Sequence, residues 1–152
     1  MSVRRSAGLL LYRAAAGGPE VLLAHMGGPF WARKDAGAWS IPKGEYDDEE
    51  PLAAARREFA EELGVPAPDG DPVDLGSVRQ SGGKQVHVWA MPGSLDPSSV
   101  TPGTFQMEWP PRSGQLQEFP EVDRVAWFDV PTAAVKLVKG QVPFLDRLTA
   151  LL

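Results

Sequence analysis

Residues 44–65 read GEYDDEEPLAAARREFAEELGV, and the order of residue types in that stretch decides the fold. Glu58, Glu61 and Glu62 stand at i, i+3 and i+4, offsets that share one face of an α-helix. Like charges so spaced repel, at about 0.2–0.5 kcal/mol per neighbour. A hard divalent cation turns that repulsion into binding, because magnesium and manganese take oxygen ligands.

The limits of the helix are written in the same stretch. Pro51 suits the first helical position, where its missing N–H has no partner to lose. Asp47, Asp48, Glu49 and Glu50 crowd the positive end of the helix dipole. Gly64 stands where a left-handed C-terminal residue is expected, and Pro66 prevents continuation. Leu52, Ala55, Phe59 and Leu63 form the apolar stripe, with Glu58 and Glu62 beside it and Glu61 one step further round. Arg57 neighbours Glu61 on the helical wheel and can hold a carboxylate through a bidentate pair. A surface helix with an acidic side is the simpler reading of these glutamates. It does not account for a Pro42–Lys43–Gly44 loop, an acidic lead-in, Arg57–Glu58, Glu61–Glu62 and a Leu63–Gly64–Val65 exit in that order.

At these residues the chain resembles the Nudix hydrolase family. That family's box is Gly, five residues, Glu, seven residues, then Arg-Glu-apolar-any-Glu-Glu-any-Gly-apolar. Arg57, Glu58, Phe59, Glu61, Glu62, Gly64 and Val65 fit it throughout. The opening loop is one residue short. Gly44 to Glu49 leaves four intervening residues, and choosing Glu50 shortens the second gap to six, so either Glu49 or Glu50 is the upstream partner of the arginine.

The resemblance implies an α/β Nudix fold, a mixed β-sheet sandwiched between α-helices. It implies hydrolysis of a nucleoside diphosphate linked to another group, with Mg2+ or Mn2+ as cofactor and more than one ion per site. Glu58, Glu61 and Glu62 are the expected metal ligands, and the Gly44 carbonyl joins them as that glycine does in the family. Catalytic roles fall to Glu58, Glu61, Arg57 and a glutamate from a distant loop. Glu108, Glu118 and Glu121 are the candidates for that last role, with Glu118 the choice. The Pro–Lys–Gly loop is similar to that of members cleaving nucleoside triphosphates or dinucleoside polyphosphates, so the expected partner is such a small molecule. A homodimer is a further expectation. The contrasting function is a nucleotide-sensing module without turnover. Loss of box glutamates would mark it, and none is lost.

Composition sets outer bounds. A chain of 152 residues with 43% hydrophobic and 23% charged residues is expected to be one soluble domain, 1–152. No cysteine is present, which removes disulfides, thiolate metal sites and a cysteine nucleophile. No apolar run approaches the roughly 20 residues of a membrane span. The start of the chain lacks a signal-peptide pattern, so a cytoplasmic location is expected. A net charge of −5 argues against a nucleic-acid partner, whose phosphates demand cations.

Along the chain, Ser6–Tyr12 and Val21–Met26 read as a hairpin around Gly17–Gly18–Pro19. Residues 27–38 are loop and 39–42 extended. Val73–Arg79 and Gln85–Met91 read as strands separated by Ser81–Gly82–Gly83. Pro92–Gln117 reads as a long functional loop with a short strand near Phe105–Trp109. Val125–Val130 is a strand, Pro131–Lys139 a helix opened by Asp129, and Phe144–Leu152 a last amphipathic helix. Lys43, Lys84 and Arg5 are candidate phosphate contacts. Trp39, with Trp31, Phe30 and Trp109, is a candidate stacking surface for a base. His87 and His25 read as packing residues.

Overall fold

The run Gly8–Leu11 is apolar without alternation, as expected of a strand covered on both faces. In the computed structural model, which describes residues 4–152, this run lies in β1 (Arg5–Arg13). Leu9 and Leu11 pack on one side of the sheet and Leu10 on the other. β2 (Glu20–Met26) pairs antiparallel with the end of β1, Tyr12 against Val21, so the hairpin forms as expected. β3 is Trp39–Ser40, and β4 (Lys43–Glu45) lies antiparallel along the start of β1, Gly44 opposite Ala7. β5 (Val73–Arg79) and β6 (Gln85–Pro92) form a second hairpin, and β6 runs parallel to β1. β9 (Val122–Asp129) joins β2 antiparallel. The result is one mixed seven-stranded sheet.

Each face of that sheet carries a helical layer, the α/β/α arrangement. α1 (Pro51–Leu63) buries Ala54, Ala55, Phe59 and Leu63 against one face. α2 (Val130–Lys136) and α3 (Pro143–Thr149) bury Ala133, Phe144, Leu145 and Leu148 against the other. α1 begins and ends where its sequence says. Pro51 is in the first turn, Gly64 adopts φ 71° and ψ 11°, and the Gly64 N–H donates to the Ala60 carbonyl at 2.8 Å. Thr101 then fills the helix end, its N–H donating to Leu63 O at 2.8 Å.

Four segments differ from the sequence reading, one of them α3, which ends at Thr149 rather than Leu152 and leaves Leu151 and Leu152 exposed. Residues 92–117 are not one loop. β7 (Thr104–Glu108) and β8 (Leu116–Pro120) pair antiparallel into a separate two-stranded arm. β8 was not expected, because LQEFP lacks the alternating pattern of a half-buried strand. Likewise the sequence reads as loop at Pro42–Lys43–Gly44, where β4 forms. It carries no strand-forming side chains and is held by its register on β1. α2 stops at Lys136 rather than Lys139, because Leu137 turns extended and the Val138 N–H donates to Trp39 O at 2.8 Å, tying that layer to β3.

His25 was read as structural, and it is fully buried. Its Nδ1 lies 2.9 Å from the Asp123 carboxylate and its Nε2 2.6 Å from Lys34 O, so it pins the 27–38 loop to β9. His25→Leu orphans both acceptors. It is expected to destabilise the fold by about 2 kcal/mol, roughly 4–8 °C in melting temperature. An unchanged melt would remove this pin from the description.

Candidate active site

α1 and β4 are pressed together, and the glycine of β4 is what allows it. A Cβ built on Gly44 would lie 1.8 Å from Glu58 Oε2. The Glu58 carboxylate therefore lies directly over the Gly44 backbone. A side chain there would displace it.

Arg57 organises the solvent side of the helix. Its Nε and Nη2 donate to both oxygens of Glu49, at 2.8 and 2.5 Å. Its Nη1 donates to Glu58 Oε1 at 2.9 Å and Glu61 Oε2 at 3.0 Å. The shortened opening loop thus presents Glu49 to the arginine. Glu50 sits at the helix N-cap, where its carbonyl accepts from Ala54 N at 2.9 Å. Glu61 is exposed, and Glu58 and Glu62 are half-buried.

Burial raises the pKa of Glu62 from its ordinary 4.5 to about 8. Lys43 opposes the rise through its charge and its backbone N–H, while Glu121 and Glu58 reinforce it. Burial also raises Glu58, against the pull of Arg57. Glu121 is exposed at the surface, as Glu118 is, but partial desolvation and the charge of Glu61 raise it. Four carboxylates thus share one field, relieved by Lys43 and by an arginine already paired with Glu49.

Glu121 reaches this field through its backbone. It ends the β7–β8 arm, donates its N–H to Gly103 O at 2.8 Å and accepts from Gly27 N at 3.0 Å. Glu118 lies on β8 opposite Gln106, exposed, and Glu108 on β7 opposite Leu116. The charges acting on Glu58 and Glu62 include that of Glu121 and neither of those two.

The remaining expected contacts divide. Lys43 is half-buried between the negative charge of Glu62 and the positive charge of Lys84. Both lysines line a cleft of about 620 Å³. Arg79, Gln80, Lys139 and Gln141 complete most of its wall, and none of these four was singled out from sequence. Arg5 instead donates to Asp47 O at 2.8 Å and lies over the Tyr46 ring. The expectation for Trp39 fails. It is 3% exposed, its Nε1 donates to Asp35, and His25 and Phe128 abut its ring edge-on, so no face is left for a base. Phe30 is 58% exposed and meets Trp109 edge-to-face at 5.5 Å. His87 stacks on Trp89 and pairs with Asp74, the packing role expected of it.

Among the described residues no three His, Asp or Glu side chains converge closely enough to hold an ion; Glu58 and Glu61 are turned onto Arg57. The donor set still fits a hard dication. Its three side chains are carboxylates that repel one another, the Gly44 carbonyl adds a fourth oxygen, and Glu62 is half-buried with its charge penalised by desolvation.

A pH effect follows from Glu62. A carboxyl whose folded pKa is raised binds its proton more tightly folded than unfolded. Its contribution is present below about 4.5 and is lost as pH rises towards about 8. In chelator, the melting temperature is expected to fall across that window. Added Mg2+ is expected to flatten the fall. A Glu62→Gln variant melting with the wild-type pH profile would contradict the assignment.

The NUDIX domain profile matches residues 2–148. Nothing among curated proteins matches the chain. Solved structures do. A Caenorhabditis elegans Ap4A hydrolase binary complex superposes with a TM-score of 0.67 at 23% identity, covering 98% of this chain and 97% of that one. The NUDIX domain of Shewanella oneidensis NrtR, complexed with ADP ribose, gives 0.67 at 16% identity, with 99% and 89% covered. The Mycobacterium smegmatis Nudix hydrolase RenU gives 0.60 at 25% identity, with 96% and 83% covered. No helix of the described residues is long and apolar enough to cross a membrane. A box helix closed by Gly64, a glycine strand beneath Glu58 and a profile match over nearly the whole length place this chain in the Nudix hydrolase family, as a pyrophosphohydrolase.

Proposed function

We propose that this protein is a single-domain, cytoplasmic enzyme that hydrolyses a phosphoanhydride bond in a nucleoside diphosphate linked to another group, nucleoside triphosphates and dinucleoside polyphosphates foremost. The observation that carries the reading is the Glu58 carboxylate lying directly over the Gly44 backbone, in a charge field shared by Glu58, Glu61, Glu62 and Glu121 beside Lys43. Nudix hydrolases generally need divalent metal ions. Here Glu58, Glu61, Glu62 and the Gly44 carbonyl would hold Mg2+ or Mn2+. Such ions, when bound, neutralise phosphate charge and acidify water.

The chain's own groups do the rest. Arg57, fixed by Glu49, aims Glu58 and Glu61. Lys43 meets a phosphate oxygen. Glu121 takes the proton from attacking water, a role suited to a carboxylate whose basicity is raised by partial desolvation and a like charge. Similarity to structures carrying Ap4A hydrolase and ADP ribose in their descriptions favours a nucleotide ligand.

The test is a substrate panel with each metal, products identified by mass. Metal-dependent release of phosphate or mononucleotide is expected from at least one member. Glu121→Gln is expected to lower kcat about a hundredfold or more, and Glu118→Gln to leave it within about twofold. The opposite ranking would return the base role to Glu118. No turnover on any member with either metal would favour a sensing module.

A further inference from the structure

The cleft beside Lys43 has a composition at odds with the rest of the molecule. In a chain of net charge −5, four cations line it: Lys43, Arg79, Lys84 and Lys139. Among the described residues no carboxylate and no aromatic ring does. Arg79 and Lys84 flank the β5–β6 turn, held by Gln80 N donating to Lys84 O at 2.7 Å. Lys139 comes from the turn after α2, where Gly140 packs on the Gln80 side chain. The floor is neutral and fixed. Gln141 is fully buried, accepts from Ile41 N at 2.8 Å and donates to Ser40 Oγ at 3.1 Å.

Among the described residues Lys43 faces the charge of Glu62, and the other three cations are poorly paired. Among the described residues Arg79 and Lys139 have no side-chain hydrogen bond or salt bridge, and Lys84 has only a 3.9 Å approach to the exposed Glu45. Four cations around one concave wall repel one another unless an anion enters. A nucleobase would want apolar or aromatic walls, which this cleft does not supply. Phosphate oxygens match it. Lys43 lines the cleft and also faces the charge of Glu62, so it stands between the cationic wall and the acidic site.

We propose that this cleft binds a phosphate beyond the two flanking the scissile bond, with Arg79 and Lys139 as specificity residues for substrates carrying three or more consecutive phosphates. The inference rests on the pyrophosphohydrolase reading for its substrates, but its binding half can be tested without turnover. Two arms separate them.

In the first arm, inorganic tripolyphosphate is titrated into metal-free protein in chelator by calorimetry. Wild type is expected to bind, and Arg79→Ala with Lys139→Ala is expected to weaken binding by about tenfold or more per cation removed. Both residues are exposed, and matching thermal melts confirm that the double variant is folded. In the second arm, kcat/KM is compared for a nucleoside triphosphate, a dinucleoside tetraphosphate and ADP ribose. The double variant is expected to lose at least about tenfold more on the triphosphate or the tetraphosphate than on ADP ribose. Equal losses on all three, or wild-type affinity for tripolyphosphate, would overturn the proposal. Absence of all turnover with loss of tripolyphosphate binding in the variant would sink the enzymatic reading and leave this cleft standing.

Discussion

Glu62→Gln is expected to lower kcat by about a thousandfold or more on whichever substrate the wild type turns over, while the protein melts no lower than wild type in chelator at pH 7. Metal-assisted charge stabilisation supplies several kcal/mol to such a reaction, and each 1.36 kcal/mol is a factor of ten in rate. The second half of the result separates a ligand from a structural residue. Glu62 is half-buried, and burial penalises its charge so strongly that its pKa rises to about 8. Glutamine keeps the shape and removes the charge, so the metal-free fold loses nothing. What disappears is the stabilisation that Mg2+ or Mn2+ gives wild type, read as the shift in melting temperature on adding metal. A variant that retained full rate would remove Glu62 from the ligand set.

Gly44→Ala is the second large effect, and it is steric. The added methyl would stand 1.8 Å from Glu58 Oε2, 2.1 Å from its carboxyl carbon and 2.7 Å from Cγ. All three atoms belong to the far end of a flexible side chain, so the backbone need not move. Glu58 must turn aside, taking a carboxylate from the site and an acceptor from Arg57 Nη1. A loss of about a hundredfold in kcat is expected, the scale of misplacing a catalytic group by an ångström. Melting temperature is expected to change little. Gly27→Ala makes the contrast, because its methyl would meet the Pro120 carbonyl at 1.9 Å. There the obstacle is backbone, and both stability and rate are at risk. If Gly44→Ala kept wild-type kcat, close approach of Glu58 to β4 would not matter to catalysis.

How much of this was legible in the chain depends on the range of the interaction. α1 could be bounded closely because its stop signals, Gly64 and Pro66, act on neighbouring residues. The strand at Ser6–Tyr12 is legible as a local apolar run, but the helical layer on each face of its sheet comes from the family resemblance and not from that run. Glu49 and Glu50 could not be told apart, since the choice turns on how a one-residue-short loop swings relative to Arg57, not on helical phase. The sequence reading places the distant base at Glu118, with Glu121 and Glu108 as its alternatives. What separates them is the pairing register of β7 with β8 and the anchoring of Glu121 by Gly27 and Gly103, contacts across long stretches of chain.

Trp39 illustrates a different limit. An aromatic in a short extended segment looks the same in sequence whether it faces a ligand or the core. Here it fits between His25 and Phe128 because α2 ends early and β3 is drawn under it. Arg79 and Lys139 carry no local signal at all. One closes a strand and the other opens a turn, and only the packing of Gly140 on Gln80 brings them to one wall.

Anomalous difference density from a crystal soaked in Mn2+ tests the metal site most directly. A peak is expected among the Gly44 carbonyl, Glu58 and Glu62, with Glu61 turned from Arg57 towards it. Manganese bound elsewhere, with Glu58 and Glu61 still on Arg57 and Glu62 unligated, would contradict the site on which the chemistry depends.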